Sequence, residues 1–389
     1  MRKTLLVLAL LAMAAPGQAS GQSFLGFRGL GVPVGPADGR SVALGNLGIG
    51  LGRAGLSVTD PAAAAHIPFP SVFVSMQPMW GDFQLEDQSG TMRTTRFPLI
   101  AIGYPVLSVN GTVTLSLAGY LEQRWVGHTA RTVNLGGIDV PVDDRFTTDG
   151  GTSVARVGWS QRFGARFAAG VSAGAYVGRL EREFDRTLDS LVVGGDVRSY
   201  TEASSWHYGG YTLTAGFGAD PHDLIHLAGA LEWSGALKES PSEDTEGDEN
   251  RYSIPLRLLW GATGRLSERL HLNTSFAYQD WSGADGFQPG VVSAKTLSYG
   301  AGLELQVVRR PTRGIPLRLG YRRVVPPFRY QVQDPVETAW SVGLGFNLVE
   351  VDGIRYGWMD VAVERAERSS APLSENFWRA TVSLGITRF

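Results

Sequence analysis

Residues 297–307 read LSYGAGLELQV, and every second side chain in this stretch is apolar. One face carries Leu, Tyr, Ala, Leu, Leu and Val, whereas the other carries Ser, Gly, Gly, Glu and Gln. A period of two places alternate side chains on opposite faces of a β-strand. The stretch therefore predicts a long strand with one apolar face and one polar face.

The same alternation recurs from about residue 69 to the end of the chain, for example in 252–265, 270–279 and 338–348. Strands that cross a membrane need ~9–11 residues, whereas strands of soluble sandwiches usually stop at ~5–6. The polar faces are rich in Gly, Ser, Thr, Arg and Glu, which suits the lumen of a barrel. Aromatic residues near the ends of the apolar faces would form interfacial girdles; they are Trp233, Tyr252, Trp260, Tyr278, Trp281, Tyr321 and Trp340.

The length and number of the alternating runs predict an all-β fold, a transmembrane antiparallel β-barrel of about 14 strands. A soluble sandwich is the alternative. The strands are expected near 69–80, 95–105, 111–126, 151–163, 166–183, 200–219, 224–238, 250–265, 269–281, 294–308, 315–325, 336–348, 353–365 and 374–388. Short connections alternate with long polar ones such as 127–150 and the acidic stretch at 239–249, which predicts short periplasmic turns and longer external loops.

The N-terminus indicates export from the cytoplasm. Arg2 and Lys3 precede an apolar stretch at 5–15 and a small-x-small site at 17–19, so residues 1–20 are expected to be a secretory signal peptide. The chain has no Cys, which excludes disulfides and a lipid-modified N-terminus. Its formal net charge is −2, and the sequence shows no basic face. Nucleic acid is therefore not expected as a partner.

Residues 45–55, GNLGIGLGRAG, contain the pattern G-x-G-x-x-G at 50–55. A dinucleotide-binding loop would follow a strand and open a helix, whereas this stretch lies between Gly/Pro turns and the first barrel strand. Residues 21–68 carry few charges and need a buried environment, so we expect an N-terminal plug inside the barrel formed by residues 69–389. The residues expected to shape or gate this plug are Gly45, Gly48, Gly50, Gly52, Gly55, Asp60, Pro61 and Pro68.

Residues 53–68, RAGLSVTDPAAAAHIP, resemble the hatch segment of FadL-type long-chain fatty-acid transporters, a group that includes PorV-like barrels of the type IX secretion system. Asp60, Pro61, Ala63 and Pro68 coincide with the hatch pattern. Ile67 and Phe69 stand where that pattern has Asn and Ala. The resemblance implies a hatch-plugged barrel and a role in passive transport or in secretion.

Several charged and polar residues fall on the expected lumen faces. They would brace the wall and hold the plug, or form a polar constriction that selects ions or carboxylate-bearing solutes. The six His residues show no metal-ligand spacing, and no Ser carries a G-x-S-x-G signature, so we expect no enzyme, metal or cofactor. The expected lumen residues are Glu232, Arg257, Arg265, His271, Glu304, Arg318 and Arg322.

The leading functional hypothesis is an outer-membrane channel for passive uptake of hydrophobic, fatty-acid-like small molecules. A PorV-like docking or shuttle barrel for secretion and a general porin are the alternatives. The expected partners are outer-membrane lipid, a hydrophobic ligand and, for the second hypothesis, secretion-system proteins. The chain ends at Phe389, which is typical of barrels that the insertion machinery recognises.

Overall fold

The computed structural model describes residues 23–27, 29–35, 37–52, 55–86, 88–135, 137–188, 200–310, 313–331, 333–351 and 354–387. The predicted signal peptide, residues 1–20, and the terminal Phe389 lie outside the described residues. The division into plug and barrel at residue 68 therefore stays a prediction for the start of the chain.

Nearly all regular structure is β-strand, as the alternation predicts. Within the described ranges the helical elements are one short helix, α1 (Gly39–Ala43), and 3₁₀ turns at Phe24–Phe27, Ala63–His66 and Leu107–Val109. The strands are β1 (Val32–Pro33), β2 (Ser71–Leu85), β3 (Gln88–Val106), β4 (Gly111–Glu122), β5 (Trp125–Leu135), β6 (Ile138–Phe163), β7 (Phe167–Leu188), β8 (Tyr200–Gly209), β9 (Tyr211–His222), β10 (Ile225–Ser234), β11 (Leu237–Pro241), β12 (Asn250–Tyr252), β13 (Arg257–Arg265), β14 (Leu270–Asp280), β15 (Lys295–Arg310), β16 (Arg313–Val324), β17 (Val336–Val351), β18 (Ile354–Ser370) and β19 (Leu373–Thr387).

Among the described residues, 14 antiparallel strands form a closed ring, which confirms the predicted fold and strand number. The ring runs through β2, β3, β4, β6, β7, β9, β10 and then β13 to β19. It closes between β19 and β2, with Leu373 opposite Leu85 and Thr387 opposite Ser71. Closure pairs the last strand with the first, so most backbone groups of the wall are satisfied within the protein.

At one end of the ring the strands continue beyond the barrel. The predicted loop at 127–150 is wrong, because β5 and the first half of β6 form a long hairpin there, with Leu135 opposite Ile138. The predicted strand 200–219 is broken at Gly210. As a result, β8 pairs with residues 178–186 of β7, and β9 pairs with residues 167–175. We call this end the extended end and the opposite end, with its short connections, the short-turn end. Short turns face the periplasm in such barrels, so the extended end faces outward.

The outer face of the ring is apolar and exposed, whereas the inner face is mostly polar. Trp340 on the outer face is 68% exposed, but Trp281, predicted for the aromatic girdle, is only 5% exposed and packs inside the barrel. Other outward side chains that are exposed include Val72, Ile100, Ile102, Leu115, Leu117, Val157, Val171, Leu213, Leu231, Phe276, Leu297, Leu303, Leu319 and Val342. A closed sheet that is apolar outside and polar inside is the architecture of an outer-membrane barrel that crosses the membrane many times.

Among the residues that the structure describes, no helix is both long enough and apolar enough to span a membrane.

The described part of the N-terminal segment, residues 23–27, 29–35, 37–52 and 55–70, touches strands on opposite sides of the ring and so lies within it. Wall glycines make room for its backbone: a Cβ atom at Gly300 would overlap the carbonyl oxygen of Gly45, and one at Gly302 would overlap that of Leu44. On the far side of the ring, a Cβ atom at Gly170 would overlap the carbonyl group of Pro61. The glycines on the polar faces of the strands are thus contact points for this segment.

A bulky residue at one of these contact points should displace the N-terminal segment. A Cβ atom at Gly261 would overlap Ile49, whereas one at Gly264, on the same strand, meets open space. We expect Gly261→Val to destabilise the folded barrel by ~1–3 kcal/mol, the usual cost of overpacking. It should also raise the ion conductance in planar bilayers above that of the wild type.

Gly264→Val is the matched control, and its stability should stay within about 0.5 kcal/mol of wild type, as expected for a site without packing contacts. Equal conductance for Gly261→Val and Gly264→Val would contradict the close contact between Gly261 and Ile49.

Candidate functional site

Polar side chains of the wall hold the backbone of the N-terminal segment. Ser275 Oγ accepts a hydrogen bond from the backbone N–H of Leu47 at 3.0 Å. Thr263 Oγ1 donates to the carbonyl oxygen of Gly50 at 2.6 Å, and Ser160 Oγ donates to that of Pro61 at 2.5 Å. An irregular segment has no ladder of its own, so these wall residues satisfy backbone groups that would otherwise be buried without partners.

The residues expected to gate the segment lie on a tight path through the lumen. Gly45 and Gly50 have φ angles of 59° and 72°, the left-handed conformation that glycine adopts without steric cost. Gly48 and Gly52 share that conformation. Pro68 is exposed and, with Gly55, lines the larger interior cavity described below. Whether these residues gate a pathway stays a prediction.

Asp60 joins two parts of the segment. Its buried carboxylate accepts the backbone N–H of Gly50 at 3.2 Å and that of Ala63 at 3.2 Å. Burial raises the pKa of the Asp60 carboxyl above its ordinary 3.8, although these N–H donors oppose the shift. A raised pKa means that acid pH favours the buried position of Asp60 and that this contribution is lost as the pH rises through the folded-state pKa.

The segment divides the lumen into two cavities. The lower cavity, of about 560 Å³, lies toward the short-turn end and is lined in part by Leu56, Phe73 and Trp358. The upper cavity, of about 150 Å³, lies toward the extended end. Both cavities are lined by the same three residues of the segment, Asp38, Gly48 and Ser57, which therefore stand between them.

An open groove of about 750 Å³ lies among the extensions at the outward-facing end. Its walls combine aromatic side chains with charged ones such as Arg182 and Glu239, and Gly29 of the N-terminal segment also lines it. Between this groove and the upper cavity lies a buried cluster that contains Leu30, Trp281 and Phe328. The aromatic side chains of the groove are Trp125, Phe146, Phe184, Tyr252 and Phe287.

Buried ion pairs join the N-terminal segment to the wall near the lower cavity. Glu304 accepts from Arg318 at 2.8 Å and from Arg40 of the segment at 3.2 Å. Arg318 also donates to Asp360 at 2.5 Å. The sequence placed Glu304 and Arg318 on lumen faces, and the structure places them in one network with α1.

The other predicted lumen residues lie in different surroundings. Glu232 pairs with Arg156 at 3.4 Å and is buried. Arg257 lines the upper cavity. Arg265 is exposed at the short-turn end of β13, and His271, its neighbour on β14, is half-buried.

A larger ion network lies beside the upper cavity, and most of its members were missed in the sequence. Glu337 accepts from Arg322 at 2.9 Å, from Arg368 at 2.6 Å and from Arg379 at 3.1 Å. Arg368 continues the network to Glu375 at 2.8 Å. Glu375 in turn accepts from the backbone N–H of Phe24 and the hydroxyl of Ser23, so this network also anchors the start of the N-terminal segment.

The wall has a seam between β3 and β4. These strands pair from Val106 opposite Gly111 up to Leu99 opposite Ala118, and the described ladder goes no further. Beyond that point β4 pairs with β1 of the N-terminal segment, with Val32 opposite Glu122. The backbone N–H of Val34 donates to the carbonyl oxygen of Tyr120 at 2.9 Å.

The upper cavity lies beside this seam. Its lining includes Val32, Pro33 and Val34 from the segment, together with Leu99 of β3 and Gly119 of β4. The ion pair between Arg96 of β3 and Glu122 of β4, at 3.3 Å, spans the seam. The strip 32–34 is therefore the part of the segment that closes the wall beside the upper cavity.

The network around Glu337 should make a large contribution to stability. Neutralising Glu337 removes a carboxylate that three guanidinium groups share, but Arg322 and Arg379 keep Glu364 and Arg368 keeps Glu375. Glu337→Gln should therefore lower the free energy of unfolding by ~1–3 kcal/mol, the cost of leaving buried donors without an acceptor. Denaturant unfolding from lipid vesicles measures this change. Glu243→Gln, in an exposed loop, is the control and should leave stability unchanged; equal effects would contradict the assigned network.

Comparison with known proteins finds structural relatives but no sequence relatives. No protein-family profile and no curated protein sequence matches the chain. A Pseudomonas aeruginosa FadL homologue is similar in structure, with a TM-score of 0.63 and 13% identity over 92% of this chain and 99% of that one. The Ralstonia pickettii toluene transporter TbuX gives 0.58 and 13% over 92% and 99%. The CymD monoaromatic hydrocarbon channel gives 0.57 and 11% over 93% and 99%.

Because the sequence identities are so low, the comparison shows only that the folds are similar. The closed 14-stranded ring of this protein matches the relatives over nearly the full length of each relative. The protein thus has the fold of the FadL-type outer-membrane transporters.

Proposed function

We propose that the protein is an outer-membrane channel for passive uptake of hydrophobic small molecules. The observation that carries this proposal is the upper cavity, which lies inside the wall beside the seam and is lined there by the strip 32–34 that pairs with β4. Structural relatives described as toluene and monoaromatic hydrocarbon channels support the same class of cargo. The fatty-acid-like cargo predicted from the sequence belongs to this class and stays a prediction.

The pathway begins at the aromatic groove of the extended end, where a hydrophobic molecule leaves water. It continues past the cluster of Leu30, Trp281 and Phe328 into the upper cavity. From there the molecule leaves sideways through the seam into the membrane once the strip 32–34 separates from β4. Lateral exit delivers an apolar cargo directly to the membrane, without passage through the lower lumen where Arg318 and its carboxylates lie.

A general porin is the less favoured function for the same fold. In this barrel the N-terminal segment crosses the lumen and is hydrogen-bonded to the wall on both sides, as the contacts of Leu47 and Pro61 show. Small ions would therefore meet an obstructed path, and the wild-type barrel should show little steady conductance.

A reversible lock tests the lateral pathway. A Cβ atom at Gly119 would lie 3.5 Å from that of Val34, within the range for a disulfide. The chain contains no Cys, so the double variant Val34→Cys/Gly119→Cys carries the only reactive pair. When this pair is oxidised, uptake of radiolabelled toluene and dodecanoate by cells that lack other channels should fall to background.

Reduction of the disulfide should restore uptake, and each single Cys variant should transport normally in either state. Transport that continues through the oxidised double variant would contradict exit through the seam. Transport that is also unchanged when residues 21–65 are deleted would contradict any role for the segment. Loss of uptake for dodecanoate alone or toluene alone would identify the cargo.

A further inference from the structure

Two basic side chains on the outer face of the wall have carboxylate neighbours. Arg179, on β7, forms an ion pair with Glu181 at 3.0 Å. Lys295, on β15, stands directly opposite Asp280 in the ladder between β14 and β15. Such neighbours are expected on a face that meets lipid, because a charged side chain there is costly unless it lies near the interface or is neutralised.

Two arginines on the same outer face have no carboxylate partner. Arg365, on β18, is exposed, whereas its neighbours Glu364 and Ala366 are buried, so its side chain points outward. Arg323, on β16, is half-buried and alternates with the inward-pointing, buried Arg322. Neither the Arg323 nor the Arg365 guanidinium forms an ion pair or a hydrogen bond with any residue that the structure describes.

The strand register brings these two arginines to the two sides of β17. Trp340 of β17 stands opposite Arg365. Thr338, two residues nearer to the extended end, stands opposite Arg323. Because adjacent strands lie ~4.8 Å apart, the two arginines are about 10 Å apart across the sheet. Their long side chains can therefore approach one group that lies above β17.

Aromatic side chains set the depth of this patch in the membrane. Tyr321, Trp340, Arg365, Trp378 and Trp80 form one row across β16, β17, β18, β19 and β2, each opposite the next. The rings of Tyr321 and Trp340 are 4.7 Å apart, and the Arg365 guanidinium lies 5.5 Å from the centre of the Trp378 ring. Trp and Tyr rings concentrate at the headgroup level of a bilayer. The row lies toward the outward-facing extended end, so it marks the headgroups of the outer leaflet.

Toward the middle of the membrane the same strands are apolar on their outer face. Leu319, Val342 and Leu344 are exposed there. One carboxylate, that of Glu367, lies on this face, opposite Thr338. Two arginines and one glutamate leave one positive charge in excess at headgroup depth, directly beside a surface that suits acyl chains.

From this arrangement we propose that the patch formed by Arg323, Thr338, Trp340 and Arg365 is a binding site for a phosphorylated lipid of the outer leaflet. A phosphate group accepts the charge-assisted hydrogen bonds that the two guanidinium groups do not make with the described residues, and the fork of a guanidinium matches phosphate oxygens. The acyl chains pack on the apolar surface beside it. The site lies on the lipid side of the wall, and β19 and β2 separate it from the β3–β4 seam, so the inference does not depend on the uptake pathway.

Native mass spectrometry of the purified full-length barrel, released from detergent micelles, tests the site. The two probes are diphosphorylated lipid A and the same lipid after enzymatic removal of its phosphates, so that sugars and acyl chains are matched. We expect one molecule of the phosphorylated probe to bind about tenfold more tightly than the dephosphorylated probe, or better, since one hydrogen bond to a charged group is worth about that factor.

Substitutions on the outer face assign the preference to the patch. Arg323→Gln and Arg365→Gln should each weaken binding of the phosphorylated probe about fivefold, the contribution of one basic residue beside an anionic lipid surface. The double variant should bind the two probes alike. Glu367→Gln removes the nearby carboxylate and should strengthen binding of the phosphorylated probe. Arg179→Gln is the matched control, because that arginine is already paired with Glu181, and it should bind both probes as the wild type does.

The folding of each variant is checked by the shift in gel mobility between unheated and heated barrel. Equal affinity of the wild type for the two probes would overturn the site, as would a phosphate preference that survives in the folded double variant. Inorganic phosphate in excess should not displace the bound lipid, because the acyl chains also contribute to its affinity. Displacement by inorganic phosphate would overturn the assignment to a lipid.

Discussion

The structure depends on the requirement that backbone hydrogen-bonding groups find partners where water is scarce. In the wall this requirement is met by closing the sheet between β19 and β2. A ring of 14 strands encloses a wide interior, and the described residues of the N-terminal segment that lie there form almost no regular structure of their own. The partners for its backbone therefore come from the wall, through side chains such as Ser275, Thr263 and Ser160.

This requirement explains the composition of the inner faces. Glycines at 261, 300 and 302 allow the two backbones to approach closely, and hydroxyl and amide side chains supply hydrogen bonds between them. Ion pairs occur where charged wall residues face each other or face the segment, as with Glu304, Arg318 and Arg40. At the β3–β4 seam the described ladder stops, and there a strip of the segment replaces the missing neighbour. At this seam the closure of the wall therefore depends on the position of the N-terminal segment.

Much of the fold could be predicted because apolar and polar side chains alternate along membrane strands. Leu303 and Glu304 show it directly, since the structure exposes the first on the outer face and buries the second inside. The predicted loop at 127–150 was wrong because β5 of this hairpin lacks the alternation of apolar and polar faces; the neighbours Thr129 and Ala130, which lie on opposite faces, are both exposed. Trp281 was misplaced because the chain after β14 folds inward, where Phe287 and Phe328 pack on its ring.

The cavities and the ion networks could be predicted only in part. Alternation placed Arg257, Glu304 and Arg318 on the inner face, but the register that joins Arg318 to Glu304 is a tertiary property. Glu337 was missed because it stands at the start of β17, before the apolar alternation becomes clear. The seam could not be predicted from the sequence, because it arises where two strands separate and no residue type marks that place.

Hydrogen exchange of the native barrel tests the central claim most directly, namely that the strip 32–34 moves while the rest of the segment stays bound to the wall. In the absence of cargo, the amide of Val34, bonded to Tyr120, and that of Leu47, bonded to Ser275, should both be protected. With a hydrophobic cargo present, the exchange of Val34 should accelerate and that of Leu47 should not change. Equal acceleration of both amides, or no change at Val34, would contradict this account.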